Sequence, residues 1–323
     1  MTDLHRLVVL AGGLSHERDV SLRSGRRAVD ALKAVGVEAF LADADAALLA
    51  TLANERPDAA ILALHGGPGE SGALRTVLDL AGVPSVGATA QASRVAFDKP
   101  AAKAVLRTAG LSTPDWVTLP ATTFREIGAA SLLGRITEAL GLPLMVKPAQ
   151  GGSSLGASAV MPGADSTSDL ATAMVSAFSY DEDVLLERLV AGTEVAVSVI
   201  DLGDGPIALP VVEIVPISGV FDYEHRYTPG TVTYFTPARL EPGIAAACAD
   251  AAIAAHTALG IRDLSRADMI IDAAGTPWIL EVTVAPGMTE TSLFPMAVSA
   301  EGRDLGAVLR DLAAIAMTRN PAS

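Results

Sequence analysis

The stretch WILEVTVAPGM, residues 278–288, decides how the chain is read. Trp278, Ile279 and Leu280 make a short apolar run of the kind that fills a buried strand. The run delivers Glu281 to the strand end, and Thr283 lies two residues on, so both side chains point to the same face. A Pro-Gly turn follows. Just upstream, SRADMIID (265–272) reads as a partner strand carrying Asp268, and DAAGTP (272–277) as the turn between them. Two antiparallel strands joined there set Asp268 and Glu281 side by side. Adjacent carboxylates repel unless a proton or a cation lies between them. Oxygen donors beside a phosphate are what Mg²⁺ prefers. The same pair also reads as an exposed set of salt-bridging charges.

Working back along the chain, LPLMVKPAQGGSSLGASAV (142–160) reads as strand, Gly/Ser loop, strand. Lys147 ends the first strand, and Gly151 to Ser154 form the loop. Backbone N–H groups in such a loop close over phosphate oxygens, and the preceding lysine adds a point charge. An ordinary β-hairpin with a flexible tip fits equally. It is not a Walker loop, because no Gly-Lys-Ser/Thr opens a helix. Further back, RLVVLAGG (6–13), EAFLAD (38–43) and DAAILALHGG (58–67) read as strands, with a helical pattern between the first two, which predicts an open parallel α/β sheet. After residue 183, strands are predicted at DVLLERLV, EVAVSVID and IALPVVEI. An aromatic-rich loop (216–237), an Ala-rich helix (241–259), the two strands above and a closing helix complete the chain.

The 323 residues, half of them hydrophobic, fit two or three domains with ample core. A formal net charge of −14 without a basic run argues against nucleic acid as a partner. No apolar run reaches the roughly 20 residues that span a bilayer, and no secretory signal is read at the start. A cytoplasmic location with no membrane association is the expectation. Cys248, the single cysteine, lies in an Ala-rich helical pattern and reads as a buried structural thiol.

Five motifs in order, AGGLSHERDVSLRSG (11–25), LALHGGPGESGALR (62–75), VKPAQGGSSLG (146–156), FDYEHRY (221–227) and APGMTETSLFP (285–295), resemble the D-alanine–D-alanine ligase family of the ATP-grasp superfamily. The resemblance covers nearly the whole chain. It implies a three-domain α/β architecture: an N-terminal substrate-binding unit (1–95), a central unit (96–187) and a C-terminal catalytic unit (188–323), with nucleotide between the last two. It implies ATP as cosubstrate, two Mg²⁺ ions or substituting Mn²⁺, D-alanine as substrate, a homodimer, and a place in peptidoglycan precursor synthesis. It places Glu17 at the ammonium of the first D-alanine and His65 in the same pocket. It places Lys99, Lys147 and Ser154 at the ATP phosphates, and Glu187 and Glu194 on the adenine and ribose side. It makes Arg266 and the Gly287 N–H the donors to a developing oxyanion, and Ser292 with Leu293 the seat of the second carboxylate. Ser153 and Tyr227, with Glu17, would tie the loops across the closed site, and 216–237 would be a lid. Asp268, Glu281 and Thr283 would hold metal, although the family pattern has Asn where Thr283 stands. Tyr227 argues against the related hydroxy-acid ligases, which carry His there. A ligase with another second substrate remains open, and so, further off, does a non-catalytic nucleotide-binding protein.

Overall fold

The computed structural model describes residues 4–216 and 230–319. The chain begins with β1 (Arg6–Ala11), α1 (Arg18–Ala34), β2 (Glu38–Asp43), α2 (Leu48–Glu55) and β3 (Ala59–Leu62). The three strands pair in parallel in the order β2-β1-β3. Leu7 to Ala11 are fully buried, as a parallel strand covered on both faces requires. Then come α3 (Gly67–Glu70), α4 (Ala73–Leu80), α5 (Ala90–Phe97) and α6 (Lys99–Thr108). Asp98 separates the last two helices by accepting the Ala101 N–H at 2.9 Å, an N-cap.

A second sheet holds β4 (Trp116–Pro120), β5 (Leu144–Pro148), β6 (Ser158–Val160) and β7 (Asp183–Arg188) in the order β4-β7-β5-β6. Its helices are α7 (Ala121–Ile127), α8 (Ala129–Leu140) and α9 (Ser166–Ala177). Leu144, Val146, Val184 and Leu186 bury one sheet face against Leu170 and Met174 of α9.

The third sheet contains β8 (Thr193–Asp201), β9 (Pro206–Ala208), β10 (Val212–Pro216) and β11 (Val232–Phe235), then, after α10 (Pro242–Ala258), β12 (Leu264–Ile271) and β13 (Pro277–Thr283). Its order is β11-β10-β8-β12-β13, with β9 on β8. Two helices close the chain, α11 (Leu293–Ala300) and α12 (Leu305–Met317). The last of these packs back on the first sheet: Leu309, Leu312 and Ala313 share one core with Leu7, Val9, Leu32 and Ile61.

The strand expected over IALPVVEI is two strands, β9 and β10, separated at Leu209–Val211. Pro210 cannot donate a ladder hydrogen bond, so the pairing breaks there. The loop expected over 216–237 ends in β11, whose Tyr234 pairs with Ile214. The rest of that loop, with Tyr227, lies outside the described residues. Cys248 is fully buried in α10, and burial pushes its thiol up to about 11, which suits a structural residue. No helix among the described residues is long and apolar enough to cross a membrane.

Candidate active site

The hairpin of β12 and β13 is held by its turn. Asp272 accepts the N–H groups of Ala274 and Thr276, both at 2.9 Å, and the indole N–H of Trp278 at 2.8 Å. Across the strands Asp268 pairs with Glu281 and Arg266 with Thr283. The four side chains therefore alternate on one sheet face. A bulge beyond Asp268 leaves Leu280 unmatched and ends the regular ladder beside these groups, a common device next to active sites. Arg266 grips Asp268 with two hydrogen bonds, 2.6 and 2.8 Å. Burial would lower the guanidinium pKa, but Asp268 outweighs it and holds the group above its ordinary range.

Loops from the first sheet reach the same place. Ser21 accepts the Gly12 N–H at 2.9 Å and donates to the Ala63 carbonyl at 2.8 Å, which locks the exits of β1 and β3 together. Glu17, at the N-cap position of α1, is 5 % exposed and accepts a short hydrogen bond from Ser153 of the Gly/Ser loop. Gly66 has φ +69°, and a Cβ there would stand 2.5 Å from the Glu17 carboxylate, so this turn requires glycine. His65 is buried, with Nε2 3.0 Å from the Ser24 hydroxyl. Burial pushes its pKa down to about 4, so the imidazole is neutral near pH 7.

Glu70 was not singled out by sequence reasoning. Its carboxylate accepts the Gly66 N–H at 2.8 Å and the Thr283 hydroxyl at 2.9 Å. Burial, and then the charge of Glu17, push it up to about 7. The usable signal was an acid inside the glycine-rich turn of LALHGGPGESGALR. Thr283 also accepts the Ala285 N–H at 3.3 Å. Its oxygen thus has one lone pair left.

Lys99 opens α6, donates to the Gly151 carbonyl at 2.7 Å and stands 3.9 Å from Glu281. Lys147, on β5, pairs with Glu187 of β7 at 2.6 Å. Glu187, at 2 % exposure, is not a strand-end surface charge. It is also met by Lys103 at 2.7 Å, a residue absent from the sequence-derived set. Ser153 and Ser154 both adopt left-handed backbone, φ +53° and +57°. Such conformations cost energy in non-glycine residues and collect at ligand-holding loops.

One cleft is lined by Glu17, His65, Glu70, Lys99, Gly151–Ser153, Tyr234, Arg266, Glu281, Thr283, Gly287, Ser292 and Leu293. Lys147, Ser154, Glu187, Glu194 and Asp268 stand outside its lining. Asp268 is screened by Arg266, and Glu194 lies on β8 beside Ile214 and Ile270. At the far wall a Cβ on Gly287 would meet the Ser292 hydroxyl at 2.7 Å. Ser292 is spent on the Thr289 N–H at 2.9 Å and gives α11 no side-chain cap. Leu293, the first residue of that helix, lines the cleft, and a helix N-terminus favours an anion.

A family profile described as "D-ala D-ala ligase C-terminus" matches residues 105–314. A D-alanine–D-alanine ligase from Bordetella petrii is 41 % identical over 299 residues, which cover 93 % of this chain and 88 % of that protein. One from Anaeromyxobacter dehalogenans is 41 % identical over 297 residues, 92 % of each chain. The chain belongs to the D-alanine–D-alanine ligase family. Among solved structures, the Bacillus anthracis D-alanine–D-alanine ligase complexed with ATP superposes with a TM-score of 0.79 at 27 % identity, covering 98 % of this chain and 99 % of that one. The VanG D-Ala:D-Ser ligase from Enterococcus faecalis gives 0.80 at 27 % identity, with 97 % and 100 % covered.

The residues present suit the two groups that membership in the D-alanine–D-alanine ligase family implies. For a divalent cation, Glu281 supplies a hard oxygen donor on the cleft wall, and Asp268 stands opposite it in register with both oxygens held by Arg266, which a cation would have to displace. For a nucleotide, two buried ammonium groups, Lys99 and Lys147, flank a Gly/Ser loop in which a Cβ on Gly151 would meet nothing within 4 Å.

Proposed function

We propose that the protein joins two molecules of D-alanine with ATP as the energy source. The observation that carries this reading is the gathering of Glu17, Lys99, Arg266, Glu281 and the uncapped start of α11 around one cleft within a D-alanine–D-alanine ligase chain. The carboxylate of the first D-alanine attacks the terminal phosphorus of ATP, ADP leaves, and an acyl phosphate results. The amine of the second D-alanine attacks that acyl carbon, and the tetrahedral adduct expels phosphate to give the dipeptide.

Each residue then has a physical task. Glu17 holds the first ammonium by a charge-assisted hydrogen bond. His65, neutral, lines the same subsite without repelling that ammonium. Lys99, Lys147 and the Ser153–Ser154 loop bind the phosphates, and Glu187 and Glu194 serve the adenine and ribose side. Arg266 and the Gly287 N–H aim at the oxyanion that develops on attack. Ser292, Leu293 and the start of α11 seat the second carboxylate. Asp268, Glu281 and Thr283 hold Mg²⁺, which neutralises charge on the transferring phosphoryl group when bound. Tyr227 and its loop close over the site and keep water from the acyl phosphate. The nucleotide lies between the central (96–187) and C-terminal (188–323) units, the first D-alanine against the N-terminal one (1–95). A homodimer in the cytoplasm completes the proposal.

The test is product formation by purified protein with ATP, Mg²⁺ and D-alanine, read as dipeptide and phosphate. D-Serine, D-lactate and L-alanine run in parallel. Activity with D-serine alongside D-alanine would favour a ligase of mixed second substrate, which the likeness to the Enterococcus D-Ala:D-Ser ligase makes worth measuring. Phosphate release with L-alanine or D-lactate but not with D-alanine overturns the proposal.

A further inference from the structure

Lys103 carries an ammonium into the protein interior, 1 % exposed, yet the tasks above do not use it. It lies on α6, one helical turn beyond Lys99. Its Nζ donates to Glu187 Oε2 at 2.7 Å and to the Thr113 hydroxyl at 2.7 Å. Thr113 in turn donates to the Ile279 carbonyl at 2.8 Å, on β13, the strand that bears Glu281. The other carboxylate oxygen of Glu187, Oε1, meets Lys147 at 2.6 Å. One buried carboxylate thus stands between two ammonium groups, one anchored to β13 and the other at the end of β5.

A lysine that binds phosphate has to give up or share its resting partner. If Lys147 alone neutralised Glu187, moving toward an arriving phosphate would strand a buried carboxylate, a strongly unfavourable change. A second ammonium removes that cost. From this we infer that Lys103 is a positioning residue of the nucleotide site: it keeps Glu187 compensated so that Lys147 can turn to the phosphates of ATP. The Thr113 link fixes it to the strand bearing Glu281, so the lysine and the metal carboxylate keep their relative places. Lys103 itself touches neither nucleotide nor amino acid. The inference rests on Lys147 being a phosphate ligand, as proposed above.

The experiment measures affinity for a non-hydrolysable ATP analogue with Mg²⁺, and separately the KM and kcat of ligation, with wild-type turnover of D-alanine established first. Loss of that turnover refutes the proposed function, while analogue affinity still judges Lys103. Lys103→Met should weaken analogue binding at least tenfold and raise the KM for ATP equally. The KM for D-alanine and kcat at saturating ATP should change less than threefold. Lys103→Arg keeps a cation beside Glu187, so its analogue binding should stay within threefold of wild type. A purely structural role predicts instead that Lys103→Met lowers kcat and the melting temperature and leaves analogue affinity unchanged. Unchanged analogue binding in a folded Lys103→Met, or weak binding in a folded Lys103→Arg, overturns the inference. Failure of Lys103→Met to fold, judged by circular dichroism, makes Lys103 a structural residue and overturns it as well.

Discussion

Arg266 shows how one side chain serves two states. Its guanidinium grips Asp268 with two hydrogen bonds and also lines the cleft. Arg266→Ala should lower kcat about 10²–10³-fold, the usual loss of one oxyanion donor, with ATP-analogue affinity changed far less. Near-normal turnover would remove it from the chemical step. Thr283 is the second test at this scale, since its hydroxyl donates to Glu70 and keeps one lone pair. Thr283→Val should raise the Mg²⁺ concentration for half-maximal rate several-fold, and Thr283→Ser should not. Identical Mg²⁺ curves would leave Thr283 as a tether of Glu70 alone. His65 gives a pH prediction. Its folded pKa is depressed from 6.5 to about 4, so the unfolded chain binds more protons in that window. Stability from this group is present above 6.5 and lost as pH falls toward 4, by about 3 kcal/mol. His65→Gln should lose correspondingly less stability between pH 6.5 and 4, measured by denaturant unfolding.

At the level of elements, close approach limits what a helix tolerates. The second residue of α12, Gly306, lies against α1, and a Cβ there would stand 2.0 Å from the Ala31 carbonyl oxygen. Ala is the better helix former by under about 1 kcal/mol, and overpacking costs about 1–3. Gly306→Ala should therefore lower the melting temperature despite the helical gain; a higher one would show that α12 can slide on α1. Elements with strong patterns were legible. β1, β5 and β13 are short apolar runs ending in glycine or charge, and the Asp268–Glu281 pairing followed from counting residues across one turn. β4 and α7 were missed because their residues are only partly buried and their pattern is weak, and α8 because only Leu133 and Ile136 mark its buried side. Lys103 and Glu70 escaped for another reason. A lysine in a helix and an acid in a turn read as solvent-facing, and only tertiary packing brings Lys103 to Glu187 and Glu70 to Thr283.

Over the whole molecule, charge and chain order are separated from function by folding. The chain carries −14 overall, yet Lys99, Lys103, Lys147 and Arg266 gather behind or around one cleft. The cleft draws on residues from 17 to 293, so it exists only when distant segments meet. The first sheet makes that dependence testable. Its inner face, with Leu7, Val9 and Ile61, together with Leu32 of α1, shares a core with Leu309, Leu312, Ala313 and Ala316 of α12, more than 200 residues away in sequence. A fragment of residues 1–95 would expose those side chains. Fully burying one Leu, Ile or Val is worth about 1.5–3 kcal/mol, against a typical domain stability of about 5–15 kcal/mol. Losing the cover of several exceeds what a three-stranded unit of this size can spare. The fragment alone should show no cooperative unfolding transition and little protected amide hydrogen. Mixing it with residues 96–323 should restore protection if the two pieces assemble. A fragment 1–95 that unfolds cooperatively by itself would mean that α12 rests on a unit already stable, and that the two ends of the chain contribute to the cleft without depending on each other.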